Sequence, residues 1–397
     1  MPTPSLLRAL AENQQDRAPY YKAIEQLHQG HYVFFDAHLR AWVVAGYEEC
    51  KSLLMSGPLG KPSMVLSNNS TAAEKSVRSQ AEAIFASQFI YRDASRDRDQ
   101  ARSYWASVVR LANANRTRDA GDGANKSLDE CIRMRECDLY TDLLVPFVSR
   151  EVCKMLGVTE DERVEILPLI NDYVDMLDGK VFGSEHLTQR LRSLVSLHQY
   201  FMERVVHKRL QLPDSHFCDF DWIANFILVL AAGHESTAFL LGTLLEQSEQ
   251  FGGVSNMLQE YEKHVDLIEE ALRFDSPVQL VAREALEDFT VGAAAIVKGK
   301  AVFLHIGAAN RDKRAFDLAD QFLPNRVGPS SLAFGLGGAR CIGAALAVRN
   351  ALSMLSILME RGASLNIRRD QIRMSCGLMG REFYRIPGKV ACHGGSR

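Results

Sequence analysis

No run in this chain is apolar for long enough to cross a bilayer. The most hydrophobic stretch, residues 222–232, falls short of the roughly 20 residues a spanning helix needs. The N-terminus lacks the basic flank and apolar centre of a secretory leader. Eight cysteines are present, but without a CxxC pair or a tight framework, which suits a reducing compartment with most thiols structural. Charge of either sign is not in excess. A net charge of −3 and a pI of about 6.4 give no general pull towards nucleic acid or anionic lipid. Internal repeats and low-complexity tracts are absent too. What remains is a 397-residue chain, 47% hydrophobic and 24% charged, able to bury a substantial core. Two or three domains would fit that length. The expectation is a cytoplasmic protein that engages neither nucleic acid nor membrane.

The most informative stretch is Phe334-Gly335-Leu336-Gly337-Gly338-Ala339-Arg340-Cys341-Ile342-Gly343. A non-periodic, glycine-rich loop runs into one cysteine. A helical pattern follows at Ala345, Val348, Leu352, Leu355 and Met359, with Gly362 as its C-terminal cap. Cys341 is thus expected at a helix N-terminus, where unpaired N–H groups and the helix dipole favour thiolate over thiol. Glycines let such a backbone turn sharply and approach a flat group closely. Three other readings of these residues stand beside this one. Cys341 could be a small buried hydrophobe. Gly335-x-Gly337 could open a dinucleotide fingerprint, although Pro324, Pro329 and the serine pair argue against a preceding strand. Cys341 could also be a nucleophile, with a histidine the sequence does not locate.

Phe-x-x-Gly-x-x-x-Cys-x-Gly resembles the haem-binding signature of the cytochrome P450 family at each fixed position. The resemblance implies that Cys341 is the thiolate ligand of a haem b iron, with Phe334, Gly335 and Gly343 shaping its loop. A thiolate pushes electron density onto iron and favours O–O cleavage.

Two further segments follow the same family. Residues from 222 onward are apolar all round, as in a buried helix, yet contain Ala231-Ala232-Gly233-His234-Glu235-Ser236-Thr237. Mid-helix glycine costs about 1 kcal/mol against alanine, and a buried carboxylate more unless paired. A kinked helix with a satisfied polar network would account for both. By resemblance this is the oxygen-activating segment: Ala232 and Gly233 leave room beside the haem, while Glu235 and Ser236 do general acid work. The family more often has threonine at position 236. Serine keeps the hydroxyl but loses the methyl that restricts rotation, so looser proton control is expected. His234 is expected to be packed or hydrogen-bonded and not a ligand. Glu270 and Arg273 lie at i, i+3 before Phe274-Asp275-Ser276-Pro277. They resemble the family's structural Glu-x-x-Arg pair, with Arg326 as third member.

The rest of the chain adds coarser expectations. Residues 32–35 and 41–44 form a hairpin, 47–55 a helix, and 57–90 a long loop covering the substrate. The basic stretch 92–118 is a helix, and 113–126 an exposed connection. Helices follow at 138–156, 160–178 and 185–211, strands at 278–290 and 301–306, and a hairpin tip at 375–380. The resemblance implies that Arg102 and Arg283 meet haem propionates, and that Leu228, Gln279, Val281, Leu378 and Met379 line the substrate pocket. Two departures stand out. Family members show histidine and arginine where this chain has Gln100 and Tyr104, and histidine or arginine where it has Ala339. Arg340 is the adjacent candidate to compensate.

The resemblance covers nearly the whole chain and implies one mainly α haem domain with a minor β region, 1–397. It also implies a monooxygenase inserting one oxygen atom from O2 into a small organic substrate, free or carrier-bound, of secondary metabolism. Electrons would come from a ferredoxin with its reductase or from a flavin reductase, docking near Arg102, Arg340 and Arg349. The alternatives are a peroxide-driven or non-oxidative enzyme on the same fold, and a degenerate recruitment module.

Overall fold

The computed structural model describes residues 6, 17–28, 30–61, 72–91, 96–115, 120–134, 136–178, 184–206, 218–261 and 263–392. Helices dominate, and strands are short. Helix α1 (Arg17–His28) precedes the hairpin β1 (Val33–Asp36) and β2 (Ala41–Val44), whose register pairs Val33 with Val44 and Asp36 with Ala41. Asp36 Oδ1 accepts the N–H groups of His38 and Leu39, both at 2.9 Å, and so folds the tip. Helix α2 (Tyr47–Ser56) leads into the two-residue strand β3 (Leu59–Gly60).

Residues 72–87, expected within a loop, instead form helix α3 (Ala72–Ser87). Its apolar side, Ala81, Ile84 and Phe85, is buried despite a polar composition. The tip of the expected lid, with Met64 and Leu66, lies outside the described residues. The connection expected at 113–126 is helical at both ends: α4 (Arg96–Asn115) continues past Asn113, and α5 (Ala120–Ile132) begins well before Lys126. Gly123 suits α5 because a Cβ there would lie 2.3 Å from Glu151 Oε1. Helix propensity understated both segments because tertiary packing overrides it.

Strand β4 (Cys137–Asp138) runs into a π-helical segment, Leu139–Leu144, capped by the Asp138 carboxylate on the N–H groups of Tyr140 and Thr141. Helix α6 (Val145–Met155) follows. Helix α7 (Glu160–Leu177) opens on a capping box between Thr159 and Glu162. Helix α8 (Ser184–Val206) packs against it. The end of the helix expected to reach 211 lies outside the described residues.

The apolar centre is helix α9 (Asp219–Ala232), with 222–231 all buried, followed after a break by α10 (Glu235–Ser248). The expectation that no run is long enough to cross a bilayer is corrected here: Asp219–Phe251 is long and apolar enough once the helix continues past the break, but 78% of its most apolar window is buried within the fold. It is the core helix around which α6, α7 and α8 pack. Gly242 sits where α10 meets the C-terminal sheet: a Cβ there would come within 2.6 Å of the Phe383 ring.

Short helix α11 (Val254–Glu260) and amphipathic α12 (His264–Phe274) lead to β5 (Leu280–Ala285). The segment expected as a single strand over 278–290 is split: β5 ends at Ala285, and β6 (Phe289–Val291) pairs with β7 (Ala294–Ile296). Strand β8 (Ala301–His305) completes a five-stranded sheet in the order β1-β2-β8-β5-β3, with only β2 and β8 parallel. After α13 (Ile306–Ala309) comes an irregular segment, then the glycine-rich loop and α14 (Ala344–Glu360). Gly362, at φ 54°, ends α14 as expected. Strands β9 (Ala363–Ile367), β10 (Arg373–Cys376), β11 (Arg381–Arg385) and β12 (Pro387–Cys392) finish the chain. The tip between β10 and β11 closes with Gly377 N–H on the Gly380 carbonyl at 3.0 Å.

Candidate active site

The cysteine loop is shaped by its own backbone. Gly335 and Gly337 take φ of 66° and 57°, conformations L side chains rarely adopt. Gly337 also lies against the carbonyls of Leu54 and Met55 in α2, where a Cβ would make contact at 3.4–3.5 Å. Gly335 N–H donates to Leu332 O at 2.8 Å, and Cys341 N–H donates to Phe334 O at 2.7 Å, which turns the loop back on itself. Backbone N–H groups of Gly343 and Ala344 donate to Cys341 Sγ. Helix α14 begins only at Ala344, so Cys341 sits just outside it.

Burial pushes the Cys341 thiol above its ordinary pKa, outweighing the Gly343 and Ala344 N–H groups and the charges of Arg102 and Arg340. The thiolate preference expected from helix position alone is therefore not met by the protein by itself. A coordinated metal ion deprotonates such a thiol outright. The same side chain is nevertheless open to solvent. Ala232 is likewise exposed, at the end of a helix whose preceding ten residues are buried.

The central helix breaks at Gly233 and His234. Ser236 Oγ donates back to Ala232 O at 3.0 Å, holding the two halves together across the break. Gly233 does not owe its small size to the cavity: a Cβ there would lie 3.2 Å from Val152 Cγ2 of α6. Of the pair expected to clear space, Ala232 faces the opening and Gly233 serves helix packing. Glu235 is half-buried beside Tyr140, whose hydroxyl pKa is raised chiefly by burial and further by the Glu235 charge. His234 is buried and packed. Burial and then Arg163 pull it down to about 4, so the ring is neutral. Neither ring nitrogen has a hydrogen-bond partner among the described residues.

Glu270, Arg273 and Arg326 meet as a buried network behind the loop. Arg273 Nε and Nη2 donate to Glu270 Oε2 and Oε1 at 2.7 and 2.8 Å, a bidentate pair. Its remaining donors reach the carbonyls of Asn310, Ala319 and Gln321 at 2.9–3.1 Å. Arg326 Nε and Nη2 reach the same carboxylate at 3.3 Å.

The expected pocket residues are not all brought together. Gln279 is fully buried: its amide N–H groups donate to Tyr21 Oη at 2.9 Å and Ser276 O at 2.6 Å, and its Oε1 accepts from Tyr20 and Tyr21 at 3.3 Å. It fills the space in front of Gly307, where a Cβ would be 2.0 Å from its Oε1. Gln279 is therefore a structural residue of the interior and not a polar handle for substrate; with no alternation to flag it, its burial was invisible in the sequence. Leu228 is buried in the main core, and Val281 packs with the strand cluster around Tyr47 and Leu304. Leu378 and Met379 pack against Tyr20, Tyr21 and Ile24 of α1. Their turn rests on Asp178, whose carbonyl accepts Met379 N–H at 3.2 Å.

Sequence reasoning named Arg102 and Arg283 but missed Lys61, which joins them in a cationic cluster. Lys61 follows β3 and is lowered to about 7 by burial and by the charges of Arg283, Arg98 and Arg102. Arg283 is lowered to about 10 by burial and by Arg98. Its guanidinium donates to Ala282 O at 2.7 Å. Arg102 donates to the Arg340 carbonyl, which ties α4 to the cysteine loop, while the Arg340 side chain is exposed. Among the described residues, Lys61, Arg102 and Arg283 have no carboxylate within ion-pair distance, whereas Arg98 pairs with Asp99 at 2.9 Å. Cations crowded together without counter-charge suit a dianionic group entering from outside. With an available thiol and an open helix wall, these residues fit a haem and its two propionates.

Comparison with known proteins agrees. The family model described as "Cytochrome P450" matches residues 256–373. A biotin biosynthesis cytochrome P450 of Bacillus subtilis (strain 168) is 29% identical over 261 residues, 60% of this chain and 64% of that protein. The match thus spans less than two thirds of that relative's length. The polyketide biosynthesis cytochrome P450 PksS of the same organism is 25% identical over 351 residues, covering 82% of this chain and 83% of its own. Among solved structures, P450BioI in complex with a hexadec-9Z-enoic acid ligated acyl carrier protein superposes with a TM-score of 0.78 at 23% identity, covering 94% of this chain and 97% of that one. In its matched segment and in these relatives the chain is similar to cytochrome P450s, whose cofactor is haem b, and its mainly α architecture is the fold of the solved cytochrome P450 structures.

Proposed function

We propose that this chain is a haem-thiolate monooxygenase that inserts one oxygen atom from O2 into a small organic substrate of secondary metabolism. The observation that carries the reading is Cys341, open to solvent at the end of a glycine-rich loop that turns back on itself, with Arg102 tied to the same loop. Bound haem iron supplies the redox chemistry that activates dioxygen. Cys341 would hold that iron, and its two N–H donors tune the sulfur. Arg283, Lys61 and Arg102 would face the propionates. Ala232 leaves room on the opposite wall, and the break after it exposes the Ser236 hydroxyl and Ala232 carbonyl to that space. Ser236 Oγ is a proton donor once it rotates off Ala232 O, and half-buried Glu235 beside Tyr140 is the acid that resupplies it.

The biosynthetic roles in the relatives' names, and the carrier-bound acyl chain in the neighbouring complex, support a substrate presented free or on a carrier protein. Electrons would come from a ferredoxin with its reductase or a flavin reductase in the cytoplasm. The loop at Arg340, with Arg102 and Arg349 behind it, is the docking face; Arg349 is already engaged with Asn113. Recombinant protein reduced under carbon monoxide should show the red-shifted Soret band of a thiolate ligand, and Cys341→Ser should lose it. A colourless protein that refuses haemin would refute the reading. Turnover supported by peroxide but not by a reductase would point to the peroxide-driven alternative.

A further inference from the structure

Two of the family positions that usually anchor the propionates are spent elsewhere in this chain. Gln100 is exposed and uncharged. Tyr104 accepts the Trp222 indole N–H at 3.1 Å, so it belongs to the aromatic packing between α4 and α9. Arg102 keeps its charge, with one donor on the Arg340 carbonyl. Further positive charge comes from two other places. Arg98 lies one helical turn before Arg102 and shares its face. Lys61 follows β3, whose register with β5 pairs Leu59 with Ala285 and Gly60 with Glu284. Continuing that antiparallel register by one step sets Lys61 directly opposite Arg283, on one face of the sheet. Like charges directly opposite one another destabilise a sheet. An amine on a long stem would ordinarily swing out to water, yet this one is half-buried with the charges of Arg283, Arg98 and Arg102 around it.

We propose that Lys61 is a haem propionate anchor of this protein, working with Arg283 across the β3–β5 pair in place of the residues absent at positions 100, 104 and 339. The inference rests on the haem-binding reading above. A propionate between the two strands converts a repulsive pair of cations into a carboxylate held by an ammonium on one side and a planar guanidinium on the other.

The test is a cross between residue and ligand. Wild-type, Lys61→Gln and Lys61→Arg apoproteins are loaded with haemin or with haemin dimethyl ester, whose propionates carry no charge. Release to apomyoglobin is then followed at the Soret band. Loss of one charge-assisted contact should speed release of haemin from Lys61→Gln by about tenfold. Lys61→Arg should stay near wild type, and with the ester all three proteins should release alike. Equal acceleration for both haems would mean a packing role and overturn the inference, as would no acceleration at all. Should Lys61→Gln not fold, the ratio of ester to haemin release rates in wild type and in Lys61→Ala decides the same question: a smaller ratio in Lys61→Ala supports the inference, and an equal ratio overturns it. Wild type refusing haemin sinks the haem reading itself, while wild type holding haemin with an unaltered Lys61→Gln sinks this inference alone.

Discussion

Two groups of arginines flank the cysteine loop, and they differ in one respect. Behind the loop, Arg273 has an acceptor for every donor, and Glu270 also takes the Leu323 N–H at 2.7 Å. Beside the cavity, Lys61, Arg102 and Arg283 are half-buried and share no carboxylate among the described residues. The first group is complete within the chain and can only hold structure. The second is costly in the protein alone and repaid only by a bound anion. A buried charge with its partners supplied from the same chain reads as scaffold; one without them reads as a binding site.

Breaking the complete network should have the largest effect. Arg273→Ala leaves the Glu270 carboxylate buried with only Arg326, and removing one partner of a buried pair costs about 3–5 kcal/mol. The unfolding free energy from chemical denaturation should fall by that amount with or without haem. The cavity cations should behave in the opposite sense. Arg283→Gln relieves repulsion, so the apoprotein should melt no lower than wild type, while haemin affinity drops by about tenfold to a hundredfold. If both proteins lose stability alike, the distinction drawn between the two groups is wrong.

A neutral contrast comes from Gly242→Ala, where the new methyl meets the Phe383 ring. Overpacking should cost about 1–3 kcal/mol equally in apo and loaded protein. A pH titration sharpens the comparison further. Lys61 is lowered from 10.5 to about 7 by burial and by Arg283 of β5 with Arg98 and Arg102 of α4. Between those values the unfolded chain binds more protons than the folded one, so apoprotein stability should rise as pH increases from about 7 towards 10.5. Haem propionates facing the amine should flatten that rise, and so should Lys61→Gln; melting temperatures across pH 7–10 give the slope. The smallest effect is expected from Ser236→Thr. The added methyl restricts the hydroxyl and should leave stability within about 0.5 kcal/mol, while raising the fraction of reducing equivalents recovered in product.

The parts legible in the sequence are those fixed by short covalent spacing. Glu270 and Arg273 are three residues apart on one helix and had to meet. The glycines at 335 and 337 permit positive φ wherever they stand, so a sharp loop before Cys341 was readable. The interruption at 233–236 was readable because a glycine and a carboxylate inside an apolar helix conflict with it. Helices α3 and α5 were not legible: their polar surfaces hide the apolar side that packing selects. Gln279 misled because a glutamine on a strand looks accessible until Tyr20, Tyr21 and Ser276 close around it. Lys61 carried no signal whatever, since its neighbour Arg283 is more than two hundred residues away along the chain.

The sequence by itself determined the cysteine loop, the broken core helix and the pairing of Glu270 with Arg273, because each depends on backbone geometry over a few residues. Only the tertiary structure decided which charges face the cavity. Whether an arginine or lysine has a counter-charge depends on which strands and helices fold beside it, and that is settled by the register of β3 on β5 and the packing of α4 on the cysteine loop.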